Sequence, residues 1–294
     1  MSINSQQKTA YGLALLVVLL WSTISSAFKI TLRFLPFEEL VFWSVVNGVL
    51  VLTLVNQLGK QPLRIKTLTT KNYLSSALMG FFNPFLYYLV LIKAYDLLEA
   101  QVAGTLNYFW PIVLVFFSIV LLGQKIHAKG LIAIFISFLG IVIISTGGNP
   151  FSLHFTNTLG VVLAVASAFL WAFYWILNMK DQREGTGKIL LNMIFGLIYL
   201  VLWFLIRGQW PHLPTINGYF GTLYIGIFEM GITFVIWLKA LKLSSDTAKV
   251  SNLIYLSPFL GLFWISFIVG ETIHLSTVVG LAFIVGGILI QAKR

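Results

Sequence analysis

A single carboxylate, Glu229, lies in the middle of the apolar stretch LYIGIFEMGITFVIWLKA, which covers residues 223–240. The nearest charged residue, Lys239, follows ten positions later. An ionised side chain at the centre of a hydrocarbon layer costs about 2.5–3.5 kcal/mol even on lenient insertion scales, so such residues usually mark functional sites. Glu229 could bind a cationic group of a ligand, carry a proton reversibly, or pair with a neighbour for helix packing alone.

A neutral side chain, Asn83, occupies the matching place in an earlier apolar segment. Asn83 lies ten residues before Lys93, as Glu229 lies ten residues before Lys239. The surrounding strings, GFFNP and GIFEM, both place a polar residue after a glycine and two apolar residues. This correspondence predicts that Asn83 and Glu229 form two sides of one central site.

Each of these segments also carries a residue that disfavours a regular helix. Pro84 lacks the amide hydrogen that a helix interior requires, and Gly231 follows Glu229 by two residues. We therefore expect both helices to be weakened here, with Pro84 and Gly231 as hinges. Under the alternative interpretation, Asn83 merely caps the proline kink.

Aromatic and amide side chains form a further candidate site in the string VASAFLWAFYWILNMK. Trp171, Trp175 and Asn178 share one helical face at positions i, i+4 and i+7. Tyr174 lies beside them and Ser167 one turn earlier. Aromatic faces with a few polar tips suit flat apolar solutes or organic cations. The same residues could instead pack against lipid or form an interfacial belt.

Two further segments carry polar residues close to prolines, and they complete the set of candidates. The binding candidates in these two segments are Asn107, Tyr108, Trp110, Asn252 and Tyr255. Trp21 and Tyr87, from other segments, are also binding candidates. The hinge candidates are Pro111 and Pro258. Buried amides often hydrogen-bond between membrane helices for packing. Packing and ligand binding are therefore both open for the asparagines.

Composition indicates the solvent that surrounds these residues. The chain has 294 residues, of which 59% are hydrophobic, 15% aromatic and only 10% charged, and the mean hydropathy is +0.93. A soluble protein carries roughly a quarter charged residues. The composition predicts an all-α integral membrane protein, because the apolar surface exceeds what a water-soluble core needs.

Apolar runs of about 20 residues predict ten transmembrane helices. They cover residues 10–32, 37–58, 72–93, 98–121, 128–146, 157–179, 187–206, 217–239, 246–269 and 275–292. With this count, 15 of the 19 Lys and Arg residues fall at the termini and in the even-numbered loops, and four fall on the other side. The excess of positive charge places both termini in the cytoplasm.

The chain contains an internal repeat, with the first copy in residues 1–148 and the second in residues 149–294. In each copy an acidic residue lies 12 positions before a proline, and a glycine, a histidine and a glycine follow the proline at 12, 16 and 29 positions. The landmarks are Glu99, Pro111, Gly123, His127 and Gly140, and then Asp246, Pro258, Gly270, His274 and Gly287. Five spans per copy is an odd number, so we expect the copies to be inverted, as in many secondary transporters with a midplane site.

These features resemble a known family over essentially the whole chain. The five-plus-five span pattern and the strings LLWSTISSAFK, KAYDLLEAQVAGTLNYFWPIVLVFFS and LGIVII are similar to the EamA branch of the drug/metabolite transporter superfamily. NYFWP followed by GQK resembles the aromatic amino acid exporter members. The resemblance implies a secondary carrier that alternates between inward-open and outward-open states around a cavity lined by spans 1, 3, 4, 6, 8 and 9.

The family moves amino acids, sugars, nucleotide-linked metabolites or organic cations, so membership alone does not fix the substrate. We predict an exporter or facilitator of small metabolites, with amino acids, aromatic ones included, as substrates. An organic-cation or drug efflux carrier with Glu229 as counter-ion is the alternative. Glu229 is also the candidate for proton coupling, and facilitated diffusion stays open. We expect a bacterial-type inner membrane location, contact with lipid and a functional monomer.

Other functional classes fit the sequence poorly. There is no cysteine and the four histidines form no cluster, so we expect no metal and no cofactor. A carrier of phosphorylated metabolites would need Lys or Arg deep in the membrane, and an enzyme would need a catalytic dyad or metal cluster; the sequence shows neither pattern. The net charge of +10 comes from basic residues in short loops between apolar runs, where membrane topology requires them. We therefore expect no nucleic-acid partner.

Overall fold

The computed structural model of the chain describes residues 3–59, 63, 68–122, 128–149, 157–181, 183, 186–244, 250 and 253–292. Every regular element within these ranges is helical. In chain order the α-helices are α1 (Ile3–Ser22), α2 (Ile24–Thr31), α3 (Phe37–Leu58), α4 (Thr70–Gly80), α5 (Tyr87–Leu97), α6 (Ala100–Asn107), α7 (Trp110–Leu122), α8 (Ala128–Ser145), α9 (Thr158–Lys180), α10 (Thr186–Ile206), α11 (Ile216–Phe228), α12 (Ile232–Leu243), α13 (Ser257–Trp264) and α14 (Leu275–Ala292). A π-helical segment covers Phe81–Leu86, a 3₁₀ turn covers Leu253–Leu256, and a second π-helical segment covers Ile265–Val269.

Six helical stretches in the described residues are long and apolar enough to cross a membrane. They are Gln6–Thr31, Phe37–Leu58, Thr70–Leu97, Thr158–Lys180, Thr186–Ile206 and Ile216–Leu243. The other four predicted spans coincide with helices that are shorter or interrupted, such as α6 with α7. The membrane-spanning, all-helical class is therefore established in the described ranges, while ten spans and cytoplasmic termini stay predictions.

The helices fall into two compact units. Unit 1 comprises Met1–Gly80 and Arg183–Val269, and unit 2 comprises Phe81–Gln182 and Gly270–Arg294. Each unit therefore contains segments from both halves of the sequence.

Close helix crossings in unit 1 depend on small residues. Helix α3 packs on α11, where a Cβ added to Gly226 would lie 2.7 Å from the carbonyl oxygen of Ser44. A Cβ on Gly48 of α3 would lie 2.9 Å from the terminal methyl of Met193 and 3.2 Å from Cβ of Met230. The glycines allow these backbones to approach as they do in other membrane helix pairs.

Unit 2 is built around α9 and around the pair α8 and α14. Helices α5, α6 and α7 all pack on α9. Helix α8 meets α14 where Gly140 and Gly280 face each other, and the Ser137 hydroxyl donates a hydrogen bond to the Ile284 carbonyl at 3.2 Å. Of the adjacent glycines Gly286 and Gly287, only Gly287 lies at a close helix contact, where it packs against Ser137. Nothing lies within 4 Å of a Cβ placed on Gly286.

Candidate functional site

Four aromatic residues of unit 2 gather around Trp171 of α9. We call the five residues together the Trp171 cluster: Tyr87, Trp110, Trp171, Tyr174 and Trp175. Trp171 stacks on Tyr87 with ring centroids 4.7 Å apart and on Tyr174 at 5.6 Å. Trp110 and Trp175 meet Trp171 edge-on at 6.5 and 5.9 Å. Stacked and edge-to-face rings contribute beyond the area that they bury. The helical spacing of α9 brings three of these rings to one place, and α5 and α7 supply the other two.

Polar groups at the edge of the Trp171 cluster form a short hydrogen-bonded chain. The Tyr87 hydroxyl donates to the Asn107 side-chain oxygen at 3.4 Å, and the Asn107 amide donates to the Ser167 hydroxyl at 2.8 Å. The Ser167 hydroxyl in turn donates to the Ala164 carbonyl at 2.6 Å. Asn107 is thus held by α5 and α9 together, and it presents polar atoms beside stacked rings.

The helix that leads into this cluster is interrupted at Asn83. Asn83 has φ −147° and ψ 119°, which is extended rather than helical, and the Asn83–Pro84 peptide bond is cis. The Asn83 side chain is only 7% exposed, and its oxygen has no hydrogen-bond partner among the described residues. The Trp175 indole N–H is likewise buried without an acceptor in those residues. Unit 2 therefore holds one unused acceptor and one unused donor among its predicted site residues.

Unit 1 holds a smaller aromatic group around Trp21. Its ring meets Phe234 edge-on at 5.6 Å and Trp237 at 6.0 Å, both from α12. The neighbouring residues interrupt the first membrane helix at Thr23, whose hydroxyl lies 2.7 Å from the Leu20 carbonyl and 2.7 Å from the Tyr224 hydroxyl. Hydroxyl side chains that bond back to the preceding turn often bend helices.

Glu229 lies where unit 1 interrupts its own long helix. Helix α11 ends at Phe228 and α12 starts at Ile232, with Gly231 at φ −114° and ψ −102°. The amides of Glu229 and Met230 both donate to the Ile225 carbonyl, at 2.8 and 3.2 Å. The carboxylate is half-buried. Glu229 therefore stands at a helix end, where the backbone no longer follows the regular helical pattern.

The remaining predicted site residues are described by their secondary structure and burial alone. Tyr108 is half-buried directly after α6, and Tyr255 is half-buried in the 3₁₀ turn of unit 1. Asn252 lies outside the described residues. Pro111 and Pro258 each fall in the first turn of a new helix, a position that suits proline because its missing N–H would have no helical partner there. The chain is irregular just before these prolines, at 108–109 and in the 3₁₀ turn.

A polar network that sequence reasoning missed ties the start of α6 to the approach to α14 in unit 2. The Glu271 carboxylate accepts hydrogen bonds from the amides of Ala100 and Gln101 at 2.8 and 3.2 Å. The buried Gln101 side chain donates to Glu99 and to the Thr272 carbonyl, both at 2.9 Å, and accepts from the amide of His274 at 2.8 Å. A carboxylate at a helix N-terminus satisfies free amides and complements the helix dipole.

A second polar network lies in unit 1, between the start of α3 and the segment after α10. Glu39 is buried and lies 2.8 Å from Nδ1 of His212, while Glu38 pairs with Arg207 at 2.7 Å. The Trp43 indole donates to the His212 carbonyl at 2.9 Å. These contacts close one end of unit 1 with partners more than 160 residues apart in sequence.

Comparison with known proteins identifies the family. The family model described as the EamA-like transporter family matches residues 8–146 and 158–292. The chain belongs to the EamA-like transporter family. Together with the six membrane-length helices, this membership makes it an integral membrane protein.

Several uncharacterized transporters and an aromatic amino acid exporter are similar to this EamA-like chain. An uncharacterized transporter of Bacillus subtilis, YvbV, is 27% identical over 97% of this chain and 92% of its own length. One from Clostridium kluyveri is 27% identical over 60% of this chain, and the match spans 58% of that protein's length. The aromatic amino acid exporter YddG of Ancylobacter novellus is 23% identical over 83% of each chain.

A solved structure shares the fold of this EamA-like chain. It is a crystal structure of a protein that aligns with a TM-score of 0.68 at 19% identity, covering 97% of this chain and 96% of the other. At this identity the likeness supports the fold and not the substrate.

Proposed function

We propose that this EamA-like chain is a secondary transporter, an exporter or facilitator, that moves amino acids, aromatic ones included. The observation that carries the proposal is the Trp171 cluster with its attached chain of Tyr87, Asn107 and Ser167. Stacked indole and phenol rings bind flat apolar side chains, and the polar groups beside them fix orientation. The similarity to an aromatic amino acid exporter supports the same substrate class.

The unused polar atoms of unit 2 suit a zwitterion. An amino acid brings an ammonium group that needs acceptors and a carboxylate that needs donors. The Asn83 oxygen offers an acceptor and the Trp175 indole offers a donor. Because an unpaired buried polar group is unfavourable, a ligand that pairs with these atoms gains binding free energy.

Glu229 has two roles under this proposal. It either binds the substrate ammonium or carries a proton that is exchanged during the transport cycle. Its place at an interrupted helix supports both, since such breaks are where transporters position coupling groups. The pairing of Glu229 with Asn83 across the sequence repeat stays a prediction.

The proposal includes the topology expected from the sequence. We place ten spans in two inverted copies, residues 1–148 and 149–294, with both termini in the cytoplasm of a bacterial-type inner membrane. Alternating access then uses the interruptions at Asn83–Pro84 and at Glu229–Gly231 as points where helices bend. One chain suffices as the functional unit, with a small-molecule substrate and lipid as its partners.

An organic-cation or drug efflux carrier is the second candidate. The half-buried carboxylate of Glu229 favours it, because a carboxylate and aromatic rings together bind cations. An amino acid substrate and an organic cation are distinguished by what the purified protein transports.

The test is uptake of radiolabelled tryptophan and phenylalanine into liposomes that contain the purified protein. We expect uptake by the wild type and its loss in Trp171→Ala, which removes the central ring of the cluster. The control is Trp210→Ala, a tryptophan that is 62% exposed and should leave uptake unchanged. Uptake of tetraphenylphosphonium without amino acid uptake would replace the first candidate by the second.

A further inference from the structure

A groove on the surface of unit 2 is lined only by apolar side chains. Its volume is about 820 Å³, and its nine lining residues come from α9, α7 and the interrupted segment after α4. Phe82, Phe117, Val165 and Phe173 form its walls, and Val162 on its rim is 56% exposed. The groove is separate from the polar atoms of the Trp171 cluster that the proposed function uses.

The lining decides what class of molecule fits this groove. Binding sites for small molecules of this volume combine apolar walls with a few polar groups that orient the ligand. No lining residue of this groove has a polar side chain, so an amino acid would leave its charged groups unpaired at a large cost. An entirely hydrocarbon ligand has no such cost.

The membrane supplies that ligand. Helix α9 is a membrane-length apolar helix of 23 residues, and the groove residues 161–173 run from its first turn to beyond its centre. Hydrocarbon surrounds a helix at this depth, and water does not compete for the space. We propose that the groove is a binding site for an acyl chain of a membrane phospholipid.

The acyl-chain site adjoins the helix interruption of unit 2. The Phe82 ring packs on Phe173 with centroids 4.7 Å apart, and Phe173 packs on Phe117 at 5.8 Å. Phe82 directly precedes Asn83, the residue with extended backbone. A bound acyl chain therefore packs against the aromatic rings that lie next to the interruption. The length and saturation of the acyl chain should for this reason influence the thermal stability of the protein.

The experiment uses the full chain in phosphatidylcholine nanodiscs that contain a phosphatidylcholine with a diazirine on its acyl chain. After irradiation, crosslinked peptides are mapped by mass spectrometry. We expect crosslinks in residues 162–173 to exceed those on the exposed face of α10, at Leu202 and Leu205, by about tenfold, as a preference of about 1.4 kcal/mol would give.

Val165→Trp fills the groove and should lower its crosslinking to the level of α10. Val278→Trp is the matched control, because Val278 is an exposed valine of α14 outside the groove. If Val165→Trp does not fold, Val165→Phe carries the same test. Equal labelling of the groove and α10, unchanged labelling in the filled variant, or crosslinks between two protein chains at the groove would each overturn the proposal.

Discussion

The two long interrupted helices, one at Asn83–Pro84 and the other at Glu229–Gly231, achieve a similar backbone result with different chemistry. In the first, a proline and an extended asparagine end the regular pattern, and the polar side chain is neutral and deeply buried. In the second, a glycine with non-helical dihedral angles follows a half-buried carboxylate. The positions correspond in the sequence repeat, yet only one of them can carry a charge or a proton.

This difference indicates which properties each interruption needs. An irregular backbone frees carbonyl and amide groups in both copies, and in a membrane these groups must find partners within the protein. Under the proposed function, the ionisable side chain of Glu229 adds a role in substrate binding or proton exchange that the neutral Asn83 cannot take. Substitutions that remove these properties one at a time test this interpretation.

Among the substitutions at and near the two interruptions, Glu229→Gln should have the largest effect on transport. The substitution keeps the shape and removes the charge. A hydrogen bond to a charged group contributes about 1.5–3 kcal/mol, so transport should fall about 10- to 100-fold. The measurement is liposome uptake between pH 6 and pH 8, with thermal unfolding as the folding control. Uptake that is unchanged at every pH would exclude both proposed roles of the carboxylate.

Gly231→Ala should mainly reduce stability. A Cβ at this position would lie 2.9 Å from the Gly226 carbonyl oxygen and 3.0 Å from that of Ile227. Overpacking of this kind costs about 1–3 kcal/mol, which lowers the melting temperature in detergent. Gly12→Ala on α1 is the matched control, since nothing lies within 4 Å of its added Cβ. A melting temperature equal to that of the control would show that Gly231 has no special place in the interruption.

Asn83→Ala and Asn107→Ala form a matched pair. Asn107 loses its bonds to Ser167 and Tyr87, at about 0.5–1.5 kcal/mol each, so its melting temperature should fall. Asn83 loses an oxygen without a partner among the described residues, so stability should hold while transport falls about fivefold, the effect of about 1 kcal/mol. If Asn83→Ala lowered the melting temperature and Asn107→Ala did not, Asn83 would be a packing residue and Asn107 a substrate-binding residue.

Trp175→Phe should give the smallest effect. It keeps an aromatic ring against Trp171 and removes the indole N–H. Loss of one neutral hydrogen bond to substrate, about 0.5–1 kcal/mol, should weaken apparent substrate affinity about threefold without a change in melting temperature. Trp210→Phe serves as the control. If both variants changed the apparent substrate affinity equally, the Trp175 indole N–H would not be a substrate-binding group.

Much of this fold follows from local sequence patterns. Long apolar runs predict the membrane-length helices, and Pro84 and Gly231 indicate where two of them are interrupted, because these effects depend on neighbouring residues alone. The spacing of Trp171, Tyr174 and Trp175 places their rings together in the same way.

Contacts between distant segments were not predictable in this way. The interruption at Thr23 involves Tyr224, 201 residues away, and the capping of α6 involves Glu271, 171 residues from Ala100. Glu99 and His274, which lie 2.8 Å apart, stood out only as repeat landmarks, and nothing in the repeat marks them as partners. Single-sequence patterns contain no information on which loops meet, so the capping network was missed, while the aromatic and amide residues stay predictions as binding residues.

The position of Glu271 in the chain has a consequence for synthesis in the membrane. The amides at the start of α6 obtain their carboxylate partner from a residue made about 170 positions later, and α8 obtains its glycine-packed partner α14 later still. Until the last helix leaves the translocon, helices α6 and α8 lack these contacts. A chain that stops before residue 270 therefore exposes unpaired backbone groups and an open helix face, both of which membrane quality-control proteases can recognise.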